Sequence, residues 1–232
     1  MITGYFYSDV AKKGSEVKQI KKILKLTIEA NLIYLVWKCF YATMRQNKDF
    51  FVNTFTLKNM LKLIFVNESP LNGHLWYLGA ILYVLVIVYI ADKLKCGELL
   101  YWMIPVLLIG DLVLGKYAIL LWNREFSYIL VRNFLFVGLP YFCIGRMIRD
   151  GFGKKISSNV LLGLIALFSL TSLIERFILV NMNVNATRDH YISTTLLAVT
   201  VFLFTVRCSN SALNEENILC KLSGGGISLL TC

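Results

Sequence analysis

Proline and histidine are scarce in this 232-residue chain, at three and two copies, and only 16% of its residues are charged. A soluble domain carries about 25% charged residues, so a water-soluble globular fold is excluded, and so are disorder and fibrous repeats. The six cysteines (Cys39, Cys96, Cys143, Cys208, Cys220 and Cys232) form no C-x-x-C pair and no regular spacing. They read as reduced thiols, which excludes a disulfide scaffold. Acidic residues are also few, 14 against 24 Lys and Arg, giving a net charge of +10. The basic residues fall in short connections between apolar blocks rather than on a folded basic face, so nucleic acid is not an expected partner. No internal repeat is evident, and Gly224-Gly225-Gly226 is the one glycine run.

What is there is apolar: 57% of residues are hydrophobic and the mean hydropathy is +0.63. A bilayer core about 30 Å thick needs about 20 mostly apolar residues in a helix. Six stretches qualify, at 24–44, 75–91, 99–121, 129–148, 158–180 and 191–206. The expected fold class is therefore all-α, a polytopic integral membrane protein with six complete transmembrane helices and a surface helix, forming one domain over 1–232. The surface helix belongs to the long connection 45–74. There Phe50, Phe55, Leu57, Leu61 and Ile64 interleave with Asn53, Lys58, Asn59 and Lys62, and the Pro70–Gly73 region supplies a turn.

Alternating the loops puts Lys12, Lys13, Lys18, Lys21, Lys22, Lys25, Lys93, Lys95, Arg146, Arg149, Lys154, Lys155 and Arg207 on one side. By the positive-inside rule that side is cytoplasmic and 45–74 is extracytoplasmic. Trp37, Trp76, Tyr77, Trp102 and Trp122 fall near span ends, where amphipathic rings are favoured. The expected location is the plasma membrane.

Three segments carry a resemblance. Met1-Ile2-Thr3-Gly4-Tyr5-Phe6 resembles an F-M-I-S-G-Y-F stretch that closes a second helix. His74-Leu75-Trp76-Tyr77-Leu78 is similar to an H-L-W-[FY]-L segment that opens a later one. Arg132-Asn133-Phe134, with Gly138-Leu139-Pro140-Tyr141-Phe142 and Gly145, resembles R-N-F-x-F-x-G-L-P-[FY]-F-x-x-G. In this order they resemble the acyltransferase family 3 membrane proteins, a group that includes the membrane domain of vancomycin-resistance serine racemases. The resemblance implies transfer of an acyl group, acetyl by expectation, from a CoA thioester to a hydroxyl or amine of a cell-envelope carbohydrate or related acceptor. It implies no bound cofactor or metal. It also implies a catalytic His on a helix preceding Met1, so the chain reads as a fragment, expected to lack acyl-transfer activity as it stands; Met1–Ser8 and the segment 207–232 read as truncated ends.

Candidate residues follow from chemistry. Lys18, Lys21, Lys22 and Lys25 make two i, i+4 pairs at a helix start. Lysine binds phosphate as a point charge, so the cluster suits the phosphates of a CoA donor; the resemblance places Lys here where the family has an R-x-x-x-R pair. The same cluster equally suits anionic membrane lipid. His74, beside Trp76, is a candidate base at the outer mouth. His190, beside Asp189, reads as solvated. Charges within spans are costly and mark function or internal pairs: Asp111, Lys38, Glu29, Glu175 and Arg176. Lys38 is expected to pair with Asp111, and Glu175 with Arg132. Trp76, Asp111, Arg132 and Glu175 are the pocket candidates. Asn133 reads as an interhelical hydrogen bonder. Two other readings stay open: a permease-like domain moving an amino acid such as serine, and a non-functional product of a truncated gene.

Overall fold

In the computed structural model, residues 1–66, 69–124, 126, 133–184 and 190–223 are described, with side chains through 209. Every regular element among them is helical. The elements are α1 (Ile2–Lys12), α2 (Glu16–Met44), α3 (Phe50–Thr54), α4 (Leu57–Val66), α5 (Trp76–Lys93), α6 (Gly97–Leu114), α7 (Ala118–Trp122), α8 (Leu139–Asp150), α9 (Ser158–Asn181) and α10 (Ile192–Ser223). A 3₁₀ turn (Gly73–Leu75) leads into α5 and a π turn (Phe134–Gly138) into α8.

The helices group into two units. The first comprises Met1–Asp150 with Asn183–His190, the second Gly151–Met182 with Tyr191–Cys232. In the first, Val84, Leu85 and Val88 of α5, Leu100, Ile104 and Leu107 of α6, and Phe142, Cys143 and Ile148 of α8 are buried. In the second, α9 packs along α10. The Glu175 carboxylate accepts from the backbone N–H of Ile192 (3.0 Å) and from Ser193 Oγ (2.9 Å), which fixes the start of α10 against α9. Arg207 donates to the carbonyls of Lys154 and Ile156. Leu162, Leu167, Leu170, Leu173 and Phe177 of α9 are exposed, a surface suited to lipid and not to water.

Four described segments are long and apolar enough to cross a bilayer: Gly73–Lys93, Gly97–Leu114, Ser158–Asn181 and Ile192–Ser209. Six were expected, and the other two differ for separate reasons. Helix α2 has the length, 29 residues, but carries Lys18, Lys21, Lys22, Lys25, Glu29 and Lys38 along its course. The stretch expected at 129–148 is described only from Asn133 onward, and there a five-residue π turn and a twelve-residue helix make it short. Neither Pro105 nor Pro140 breaks a helix. Helix α6 runs through Pro105 uninterrupted, and at Pro140 the π turn has already passed directly into α8. Helix α10 continues past 206 to Ser223, with no glycine or proline to stop it before Gly224.

The ends of α1, α5 and α8 and the start of α6 gather at one end of the first unit, joined by the pairs Arg149–Asp9, Arg146–Asp92 and Tyr101–Asp150. A topology test follows. With the native cysteines replaced by Ser, a Ser15→Cys protein in intact cells is expected to resist membrane-impermeant thiol reagents and to react after permeabilisation. Strong labelling of intact cells would reverse the orientation.

Candidate functional site

At the basic end, the first and third motif segments cross. A Cβ added at Gly4 of α1 would overlap the carbonyl oxygen of Phe142, and one at Gly145 of α8 would overlap the carbonyl oxygen of Met1. Each helix therefore offers a bare backbone to the other, the close approach that small residues permit between membrane helices. Tyr7 is fully buried there, edge-on to Phe142 with ring centroids 5.3 Å apart. Burial chiefly, with Asp92 and Glu16 adding, pushes its phenol up to about 12, so it stays neutral.

Around this crossing lies an ion network. Arg149 donates from Nη2 to both oxygens of Asp9, at 2.7 and 2.8 Å, and from Nη1 to Tyr5 Oη. These hydrogen bonds, Asp9 first, raise the pKa of its guanidinium further. Arg146 likewise grips Asp92 at the end of α5, at 2.8 and 3.0 Å, with its guanidinium 5.7 Å from the Tyr7 ring centroid. Tyr101 of α6 donates to Asp150 at 3.2 Å. In each pair a single guanidinium nitrogen reaches both carboxylate oxygens, which ties the end of α8 to the ends of α1 and α5. Arg149 and Asp9 are 36% exposed and contribute little stability individually, about 0.2–1 kcal/mol.

The Lys cluster occupies the first turns of α2, the helix that follows α1. Lys18, Lys21, Lys22 and Lys25 are all exposed, and Lys25 makes a solvated pair with Glu29 at 3.7 Å. Nothing in the protein neutralises Lys18, Lys21 or Lys22 among the described residues.

The opposite end holds a different constellation. Asp111, in the last turn of α6 and 3% exposed, places Oδ2 at 2.8 Å from His190 Nδ1. Its other oxygen, Oδ1, is buried and has no hydrogen-bond partner among the described residues. Asp111 thus pairs with His190 and not with Lys38. His190, expected to be solvated, is held by a buried carboxyl instead, with the Tyr141 ring 6.1 Å away. Lys116, in the turn after α6, is also buried at 2% exposure.

The remaining candidates are placed as follows. His74 is exposed in the 3₁₀ turn, where its backbone N–H donates to Asn72 Oδ1 at 3.0 Å. Trp76 begins α5, edge-on to Tyr77. Glu175 caps the start of α10 within the second unit. Arg132, and with it the expected Glu175–Arg132 pair, lies outside the described residues. Asn133 does not bridge helices by its carbonyl oxygen; Oδ1 accepts from the backbone of Leu135 (2.9 Å) and Phe136 (3.0 Å) and so caps the π turn.

The model of the acyltransferase domain, acyltransferase family 3, matches residues 1–224. The chain belongs to that family. Comparison with curated proteins and with solved structures returns no match. As an acyltransferase-3 protein with four membrane-length helices, it is a membrane acyltransferase by family. Two residues of the constellation around Asp111 in this family member do not stand out in its sequence. His190 carries no signal there beyond being one of two histidines. Lys116 is legible only as the one basic residue within the apolar block 99–121. Among the described residues no group of His, Cys, Asp and Glu could hold a metal ion.

Proposed function

We propose that this protein moves an acyl group, acetyl in the simplest case, from a CoA thioester at the cytoplasmic face to a hydroxyl of a cell-envelope acceptor, with His190 as the base. The observation that supports this reading is the Asp111–His190 pair. A carboxyl on Nδ1 fixes the ring and leaves Nε2 to take a proton. Nε2 removes the acceptor's O–H proton as that oxygen attacks the thioester carbonyl. The C–S bond then breaks, and the proton held by the imidazole passes to the leaving thiolate.

The Lys18–Lys25 cluster holds the phosphates of the donor. Asp111 lies fourteen residues along α6 from Gly97, about 21 Å at 1.5 Å per residue. The donor's phosphates and the base therefore address opposite ends of the first unit, and the thioester arm has to extend inward between them. His74 remains an alternative base at the same outer end, exposed and with no carboxyl to orient it among the described residues.

The experiment takes purified protein in liposomes with acetyl-CoA and a set of envelope sugars, following free thiol and acetylated product. Changing Lys18 and Lys22 together to Ala is expected to raise the apparent KM for acetyl-CoA several-fold at low salt and less at high salt, since exposed charges are screened over about 8–10 Å at physiological ionic strength. An unchanged KM would return the cluster to lipid anchoring. Absence of acyl transfer to any acceptor from the intact chain would remove the reading.

A further inference from the structure

Two cavities open beside one another at the outer end of α2, and their walls have opposite chemistry. The first, about 430 Å³, lies between α2, α4 and α5 and is lined mainly by carbon, including Leu32, Leu35, Met60, Leu63, Leu82 and Gly79. Its polar edges are mostly used up: Ser69 Oγ donates to Asn31 Oδ1 at 2.8 Å, Asn31 Nδ2 donates to the Thr27 carbonyl, and Tyr83 Oη donates to the Ile64 carbonyl at 3.0 Å. The second, about 370 Å³, is lined by Lys38, Asn59, Lys62, Asn72 and Gly73. Ser69, Pro70 and Leu71 form a wall common to both. Each has the size of a small-ligand site.

Lys38 is the residue that sets the ligand's charge. It sits among Trp37, Cys39 and Phe40 on the outer part of α2, half-buried, and makes no ion pair among the described residues. A lysine so placed is costly unless it meets an anion. Lys62, one helical turn past Lys58 on α4, brings a second ammonium to the same mouth.

An apolar slot next to a cationic mouth, with only Ser69–Leu71 between them, fits one class of molecule. We propose that this double cavity binds a lipid phosphate, its hydrocarbon chain in the slot of α2, α4 and α5 and its phosphate at Lys38 and Lys62. The site is separate from the Asp111–His190 pair, and its occupancy does not depend on the acyl-transfer reading.

The test is binding of hexadecyl phosphate to the purified full chain in nanodiscs of zwitterionic lipid, followed through tryptophan emission, Trp37 being adjacent to Lys38. Saturable binding is expected. It should weaken at least tenfold in Lys38→Gln and in Leu82→Trp, which fills the slot, and persist in Lys38→Arg. Hexadecanol should bind at least tenfold more weakly, and a hundredfold excess of inorganic phosphate should not compete. The Lys18→Ala, Lys22→Ala protein should bind as wild type, which separates this site from lipid attraction to the inner cluster. Equal binding by Lys38→Gln, provided that protein elutes as the wild type does, would overturn the proposal. So would full competition by inorganic phosphate, which would make the mouth a free-anion site, or the absence of saturation.

Discussion

Replacing His190 by Ala is expected to lower the turnover of the proposed acyl transfer by about 10²–10⁴-fold, the usual contribution of a positioned general base, while the KM for acetyl-CoA should change by less than threefold. The split is expected because the proposed function puts the donor's phosphates at the other end of the unit, on Lys18, Lys21 and Lys22. Exogenous imidazole restores part of the rate in His190→Ala, an outcome that a merely structural loss would not allow. Asp111→Asn can still accept from Nδ1–H through its amide oxygen but supplies no negative charge to stabilise the protonated ring, and so it is also expected to lower turnover with little effect on donor KM. His74→Ala stays within threefold of wild type. A His190→Ala protein that keeps wild-type turnover, or a His74→Ala protein that loses it, would transfer the role to His74. The cost already present at Asp111 argues for His190. A buried oxygen without a hydrogen-bond partner costs about 1–3 kcal/mol, and Asp111 Oδ1 is such an atom among the described residues.

These assignments mark where the sequence was legible and where it was not. The apolar blocks that became α5, α6 and α9 were visible because a membrane helix must be apolar nearly all round, so composition alone reveals it. Helix α2 was not distinguishable by length and partial apolarity, because Lys18, Lys21, Lys22 and Lys25 on its exposed surface and the half-buried Lys38 interrupt the hydrophobic count without interrupting the helix. Asp111 could be named from sequence because a carboxyl in an apolar run is conspicuous. Its partner could not. His190 is seventy-nine positions later in a short connection, and only the fold brings it within 2.8 Å. The same holds for Asp9 with Arg149 and Asp92 with Arg146: each residue looked like an ordinary loop charge, and the pairing is a property of which helix ends meet. Asn133 shows the converse limit, since a polar residue at the mouth of a span suits an interhelical bond and a cap equally well until the backbone after it is known.

The crossing of α1 and α8 gives the largest expected effect on stability, and one substitution type tests it with opposite signs at three glycines. In an open helix interior, Gly to Ala stabilises by about 0.5–1 kcal/mol through lost backbone entropy in the unfolded chain. Gly163 of α9 has nothing within 4 Å of an added Cβ, so Gly163→Ala is expected to raise the unfolding midpoint in detergent slightly. At Gly4 and Gly145 the same methyl group meets a carbonyl oxygen of the facing helix, and backbone cannot rotate away as a side chain can. The helices must separate. That withdraws Tyr7 from Phe142, an edge-on pair worth about 0.5–1.5 kcal/mol beyond its buried area, and loosens the Arg149–Asp9 grip that spans the same two helices. Each variant is expected to lose at least about 2–3 kcal/mol, the upper range for overpacking a filled core. Against a total stability of about 5–15 kcal/mol, that shows as a lower unfolding midpoint and a smaller monodisperse fraction. The double variant should be less destabilised than the sum of the two, because once α1 has lifted from α8 at one glycine the other no longer has a backbone to strike. Gly145→Ala or Gly4→Ala with a midpoint at or above that of Gly163→Ala would show that the two helices do not meet through these residues.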